Sequence, residues 1–219
     1  MKLSKETVAL IKNFATINTN ILLKPGNVLN TISAQKNIMA SVTVAETFPV
    51  EFGIYDLNEF LGTMSLFEDP DLSFFEKYIN MKEGSTTAKL IGSEPANLVV
   101  PSKPIVFPDA DVDFSLADKT LSTIQRTASV MKAQDVSVVG DGSKLSIIIG
   151  DKKVDSSNSF EIDLGNTGKT FKVHFKVDNF KMIPGDYNVS LSSKKISRFK
   201  NMKTDLVYYV AIEADSVFE

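Results

Sequence analysis

"KLSKETVALIKNFATIN", residues 2–18, carries two faces at helical spacing. At 100° per residue, Leu3, Thr7, Leu10, Ile11, Phe14 and Ile17 fall on one side. Ser4 stands where a helix cap is expected. Thr7, not Glu, follows three residues later, so the sequence offers only half of a capping box. Lys5 and Lys12 stack on a line opposite the apolar stripe. On a single helix such a line is an ordinary solvated face.

The line is not single. "LADKTLSTIQRTASVMK", residues 116–132, repeats the pattern 114 positions later. Ala117, Leu121, Ile124, Ala128 and Met131 form its apolar line and superpose on Leu3, Thr7, Leu10, Phe14 and Ile17. Lys119 falls on Lys5 and Arg126 on Lys12. A solvated face has no reason to repeat its cations in register. A second pair of segments matches at an offset of 123: "FGIYDLNEFLG" (52–62) and "FKVDNFKMIPG" (175–185). Each reads as a strand end, a short helical turn opened by Asp56 or by Asp178 and Asn179, and a glycine stop at Gly62 or Gly185. Internal duplication accounts for both pairs.

Between the helices the chain alternates or runs with β-branched and aromatic residues over 37–54, 135–150, 159–164, 171–177, 187–193 and 205–214, and these segments are expected as strands. "VVGDGSKLSI" places Asp141–Gly142 at a hairpin turn. Four of the eight prolines, Pro95, Pro101, Pro104 and Pro108, fall in 92–114, which favours an extended connection. The expected division is a first domain over 1–107, a linker over about 92–113 and a second domain over 112–219.

Composition narrows the function. The 219 residues carry a formal net charge of −3, which argues against a surface that is basic all over but not against local basic lines. The absence of cysteine removes disulfides, thiolate nucleophiles and sulfur-ligated metals, and it fits an intracellular protein. No apolar run approaches the roughly 20 residues that cross a bilayer.

Several motifs fail on inspection. "DLGNTGKT" (163–170) imitates a phosphate-binding loop, but Asp163 occupies the first glycine position and strands flank it; a glycine-rich hairpin loop is the better reading. "DADVD" (109–113) begins like a calcium loop, but Phe114 stands where glycine is needed and Thr120 where glutamate is needed. His174, the one histidine, lies inside a strand pattern. No catalytic constellation, metal set or cofactor motif emerges. "KKISRFKNMK" (194–203) is a basic run between strands, read as a solvated loop or a phosphate contact.

The blocks "MKLSKETVALIKNFATIN", "IYDLNEFLG", "SKPIVFP", "KMIPGDY" and "YYVAIEADS" closely resemble stretches of the sliding clamps of T-even-type bacteriophages. They run from the first residues to the last, with no matching words in 63–94 and 150–170. The resemblance implies an α+β DNA-clamp fold: two similar domains of antiparallel sheet with helices on one face, assembled as a homotrimeric, pseudo-six-fold ring. It implies a non-enzymatic processivity factor that encircles double-stranded DNA without sequence preference in the cytoplasm of an infected bacterial host. An ATP-dependent clamp loader would open it, and it would tether the replicative DNA polymerase through that enzyme's C-terminal peptide. Clamps of these phages are also similar to a mobile activator of late transcription that binds a sigma-like factor; the resemblance leaves open whether that role applies here. Under it, Lys5, Lys12, Lys119 and Arg126 are expected to face DNA, with Lys2 and Lys132 at the margin. A partner-peptide pocket is expected between the domains at Val99, Val100, Ile105, Phe107, Tyr209 and Ala211. Two other readings remain open at this point: a phosphate-handling enzyme built around Lys169, and a non-catalytic structural β-rich phage protein.

Overall fold

A computed structural model describes residues 1–154 and 156–219. The chain divides into two compact units, Met1–Pro104 and Ile105–Glu219.

The first unit opens with helix α1 (Lys5–Ile17), which buries Thr7, Ile11, Phe14 and Ile17, the stripe that the periodicity marks. Ser4 Oγ accepts the amide of Thr7, as an N-cap does. The carboxylate absent from the sequence box comes from a neighbouring strand instead: Glu46 accepts the amide of Ser4 and the hydroxyl of Thr7. Strands β1 (Ile21–Leu23), β2 (Gly26–Ile32), β3 (Ile38–Phe48) and β4 (Phe52–Ile54) follow. β2 and β3 form an antiparallel hairpin, and β1 pairs with β4. The strand-type run over 37–54 is two strands, broken after Phe48 where Pro49 supplies no amide donor.

Helix α2 (Leu57–Met64) is capped by Asp56, whose carboxylate accepts the amides of Asn58 and Glu59. Gly62 does not stop it: the helix runs on to Met64 and is capped at Ser65, because the apolar spacing of Leu57 and Phe60 with the last turn outweighs one glycine. Strands β5 (Asp71–Phe74), β6 (Tyr78–Glu83) and β7 (Thr86–Ile91) complete the unit as a meander. Its core is aromatic, with Phe74 edge-on to Phe48 and Phe52 at 5.7 and 6.2 Å. After β7 the chain returns to pair Ser93 with Gly53. A Cβ at Gly53 would lie 2.2 Å from the Ser93 carbonyl oxygen, so this approach needs glycine.

The second unit has two sheets. β8 (Val112–Leu116) begins inside the stretch expected as linker and leads into α3 (Asp118–Met131), which buries Leu121, Ile124 and Ala128. Ala117 has no side chain to cap α3; Asp186 accepts the amide of Asp118, and Asp118 accepts the amide of Gly185. β9 (Asp135–Asp141) and β10 (Lys144–Gly150) form the hairpin expected at Asp141–Gly142, with Gly142 at φ +90° and Asp141 accepting the amides of Ser143 and Lys144. β11 (Phe160–Asn166) pairs with β10, and β12 (Thr170–Lys176) with β9. The glycine-rich segment between them is therefore not a hairpin loop. It crosses the β9–β10 turn, where Thr167 donates to the Ser143 carbonyl and Gly142 to that of Lys169. The expected helical turn after β12 is a 3-10 turn over Val177–Asn179.

β13 (Tyr187–Ser192), β14 (Ile196–Asn201) and β15 (Val207–Ala211) form an antiparallel sheet with β8 on the outer side of β13; β16 (Val217–Phe218) pairs with β12. The basic run 194–203 is thus largely an interior strand and not a loop. Ser197, Phe199 and Asn201 point inward while Ile196, Arg198 and Lys200 face out. Phe175, Phe180 and Phe199 meet edge-to-face at 5.5–6.1 Å and join the two sheets.

Burial pushes the Glu46 carboxyl upward, but the hydrogen bonds from Ser4 and Thr7 outweigh it and hold the group below the usual carboxylate range. Glu46→Ala should cost about 1–2 kcal/mol at pH 7, the range of a lost helix cap, as read from urea unfolding midpoints followed by circular dichroism.

Candidate functional site

The two cationic lines lie on the outer faces of α1 and α3. Lys5, Lys12, Lys119 and Arg126 are all exposed, and among the described residues none of them makes a salt bridge. The marginal pair differs. Lys132 is exposed at the C-terminus of α3 in the left-handed conformation, φ 53°. Lys2 is held by Asp69 at 2.5 Å, and that hydrogen bond leads the effects raising its pKa. Lys2 is therefore less available to an outside anion than the helical cations. Lys5 and Lys12 border a shallow groove of about 480 Å³ between α1 and α2, floored by Leu3, Val8, Leu61 and Phe67.

The expected pocket residues fall in both units. In the first, Val99 is 37% exposed and Val100 lines a groove of about 580 Å³. That groove runs between β2, β3 and the segment 100–104; Leu22, Val28 and Met39 give it apolar surface, and Lys24 and Lys103 stand among its lining residues. Among the described residues no carboxylate lines it. In the second unit, Phe107 lies 6.3 Å from the ring of Tyr209, and the Arg198 guanidinium covers Phe107 at 4.7 Å. Ile105 and Ala211 are half-buried, and Val106, absent from the expected set, is 90% exposed.

A match to the family model described as DNA polymerase processivity factor covers residues 4–93, and one to the model described as gp45 sliding clamp, C terminal, covers 113–214. The sliding clamp of Enterobacteria phage T4 is 32% identical over the full length of both chains. That of Vibrio phage KVP40 is 30% identical over 98% of this chain and all of its own. The chain belongs to the phage sliding-clamp family. It is a processivity factor for DNA polymerase, with DNA and polymerase as its partners, and the family is not catalytic. The clamp fold extends beyond phages: PCNA of A. fulgidus, solved with the C-terminal region of FEN-1, superposes with a TM-score of 0.71 at 14% identity, covering 99% of this chain and all of that one.

The remaining candidates of the clamp are structural. His174 on β12 faces Ser137 across the β9 pairing, with Nδ1 2.7 Å from Oγ. The two resemble the start of a catalytic pair, but both are buried inside a sheet where a substrate does not reach. The His174 amide donates to Ser216 Oγ, and its carbonyl accepts from Glu213, so this strand holds the C-terminal turn. Lys169 of the glycine-rich segment donates to the Asp111 carbonyl. No helix is long and apolar enough to cross a membrane among the described residues.

Of this groove the sequence reading named only Val100, because Leu22, Val28 and Met39 share no period. Lys24–Pro25–Gly26, a lysine beside a turn signal, was the one local hint.

Burial holds the His174 imidazole below its ordinary value, with Lys152 adding to the effect. The unfolded chain therefore binds a proton near pH 6.5 that the folded chain refuses, so stability falls as pH drops from 7.5 to 5.5. The urea midpoint should fall over that window by no more than about 1.4 kcal/mol per pH unit in free-energy terms, and His174→Gln should flatten the dependence.

Proposed function

We propose that this clamp closes as a homotrimer around duplex DNA, with α1 and α3 lining the hole and Lys5, Lys12, Lys119 and Arg126 facing phosphate. The carrying observation is the pair of exposed, unpaired cation lines repeated 114 residues apart on helices that end their apolar faces on sheets. A ring holds DNA by topology. Strong or sequence-specific contacts would stop it sliding, so a sparse line of cations that contacts backbone alone suits the task. Lys132 extends the line, and Lys2, tied to Asp69, contributes less.

Ring closure joins a free edge of one copy to a free edge of the next. β7 and β11 are supported as those edges. Each ends its sheet, and each shows exposed apolar side chains, Ile91 at 68% and Phe160 at 42%. β5, at the other side of its meander, already exchanges hydrogen bonds with Met1 through Leu72. The outer face of β11 is acidic at Glu161 and Asp163, and β7 offers Lys89.

The groove beside 100–104 in the first unit is read as a docking surface for the C-terminal peptide of the replicative polymerase; the Phe107–Tyr209 face belongs to the second unit. Lys24 and Lys103 favour a peptide that mixes apolar and acidic side chains. The structural neighbour from A. fulgidus holds a C-terminal region of another protein, which supports the same mode. The clamp loader, and a sigma-like factor of late transcription, are further partners on this reading, in the cytoplasm of an infected bacterium.

Polymerase extension on a primed circular template with loader and ATP tests the lining. Lys5→Ala, Lys12→Ala, Lys119→Ala and Arg126→Ala together should shorten products about tenfold and reduce the salt dependence of clamp retention, with the unfolding midpoint unchanged. Unchanged product lengths would show that these residues do not face DNA. For the seam, Ile91→Glu should shift the mass in light scattering from three times 24.1 kDa towards one, since its side chain is exposed and its loss costs the fold little. A trimer that persists in Ile91→Glu and in Phe160→Glu would remove β7 and β11 from the interface.

A further inference from the structure

The wall of the partner groove is irregular chain. Residues 100–104 form no helix or strand, and Pro101 and Pro104 bring no amide donors. Just before this wall, both backbone groups of Val99 are taken by side chains from the end of α1. Asn18 Nδ2 donates to the Val99 carbonyl at 2.8 Å, and the Val99 amide donates to Asn20 Oδ1 at 2.9 Å. The two asparagines brace each other. Asn18 Nδ2 lies 3.2 Å from Asn20 Oδ1, and the Asn20 amide donates to Asn18 Oδ1 at 3.2 Å. Asn18 also donates to the Ile32 carbonyl at the end of β2, at 2.9 Å, which fixes the clasp to the strand that floors the groove.

Asn18 is 9% exposed. As the C-cap of α1 its backbone already donates to Phe14, so the helix end does not need this side chain. A buried amide with all its bonds spent on a loop, a strand end and a second amide is a positioning device. We propose that Asn18, braced by Asn20, sets the position of the 100–104 wall and so the width of the partner groove, tying the end of the DNA-lining helix to the partner site. This rests on the groove being a peptide site, as proposed above. The acceptor and donor roles are distinct: Asn18 must donate, whereas Asn20 must accept at Val99.

That asymmetry gives the test. The full-length trimer is titrated with a fluorescein-labelled peptide of the last ten residues of the cognate polymerase, and hydrogen exchange of 98–104 is followed in parallel by mass spectrometry. Asn18→Ala and Asn18→Asp should bind five- to tenfold more weakly and exchange faster over 98–104. Asn20→Asp, which keeps an oxygen for the Val99 amide, should stay within twofold of the parent in both. Retention on DNA should be the same in all of them, which a general loss of structure would not leave untouched. Unchanged exchange in both Asn18 variants, or equal losses in Asn20→Asp, would overturn the clasp. Val28→Asp, a groove-floor change at an exposed site, separates the two ideas. If it leaves peptide affinity unaltered the groove reading falls, and the exchange result alone then decides the clasp.

Discussion

Both long helices depend on a carboxylate borrowed from elsewhere in their own unit. Glu46 of β3 takes the amide of Ser4, and Asp186, just before β13, takes the amide of Asp118. The first amides of a helix have no partner within it and carry its positive end, so an anion there satisfies donors and dipole together. Because each carboxylate is rooted in the sheet system, it also fixes where the helix starts. Hydrophobic burial alone is non-directional; Thr7, Ile11 and Phe14 could be covered at several starting points along β3. With the start fixed, the rotation that buries those residues leaves Lys5 and Lys12 outward, and the same logic sends Lys119 and Arg126 outward on α3.

The electrostatic design follows from that placement. A chain of net charge −3 is not basic all over its surface, and the two helices present their cations as aligned rows. Several lysines elsewhere are held by carboxylates. Lys144 pairs with Glu161, Lys152 with Asp215, and Lys176 with Asp135.

The helices were legible in the sequence because thirteen or fourteen residues sample the 3.6-residue period several times. Short strands do not. β5, β6 and β7 place only Leu72, Ile79, Met81 and Leu90 in the core, too few for a visible alternation. β14 was hidden by its charges: its inward residues include Ser197 and Asn201, and its outward ones Arg198 and Lys200, so polarity runs against the usual pattern. Ser197 is tolerated inside because its hydroxyl donates to the Val210 carbonyl. The cation lines were visible because they repeat. The groove, the caps from Glu46 and Asp186, and the asparagine clasp were not, since each joins residues far apart in the chain and no local spacing encodes a long-range hydrogen bond.

Among the described residues, three other than glycine have positive φ, Lys36, Lys132 and Lys195, and all three are lysines. A lysine in this conformation costs about 1 kcal/mol that glycine would not. Lys195 recovers part of it by donating to the Ser216 carbonyl at 2.6 Å. Lys36 and Lys132 are exposed at a hairpin tip and a helix end. A chain that holds charge at such places carries unused thermal tolerance, which drift could realise at any time through glycine or asparagine. Exchanging Lys36 or Lys132 for glycine would therefore trade one surface charge for that tolerance.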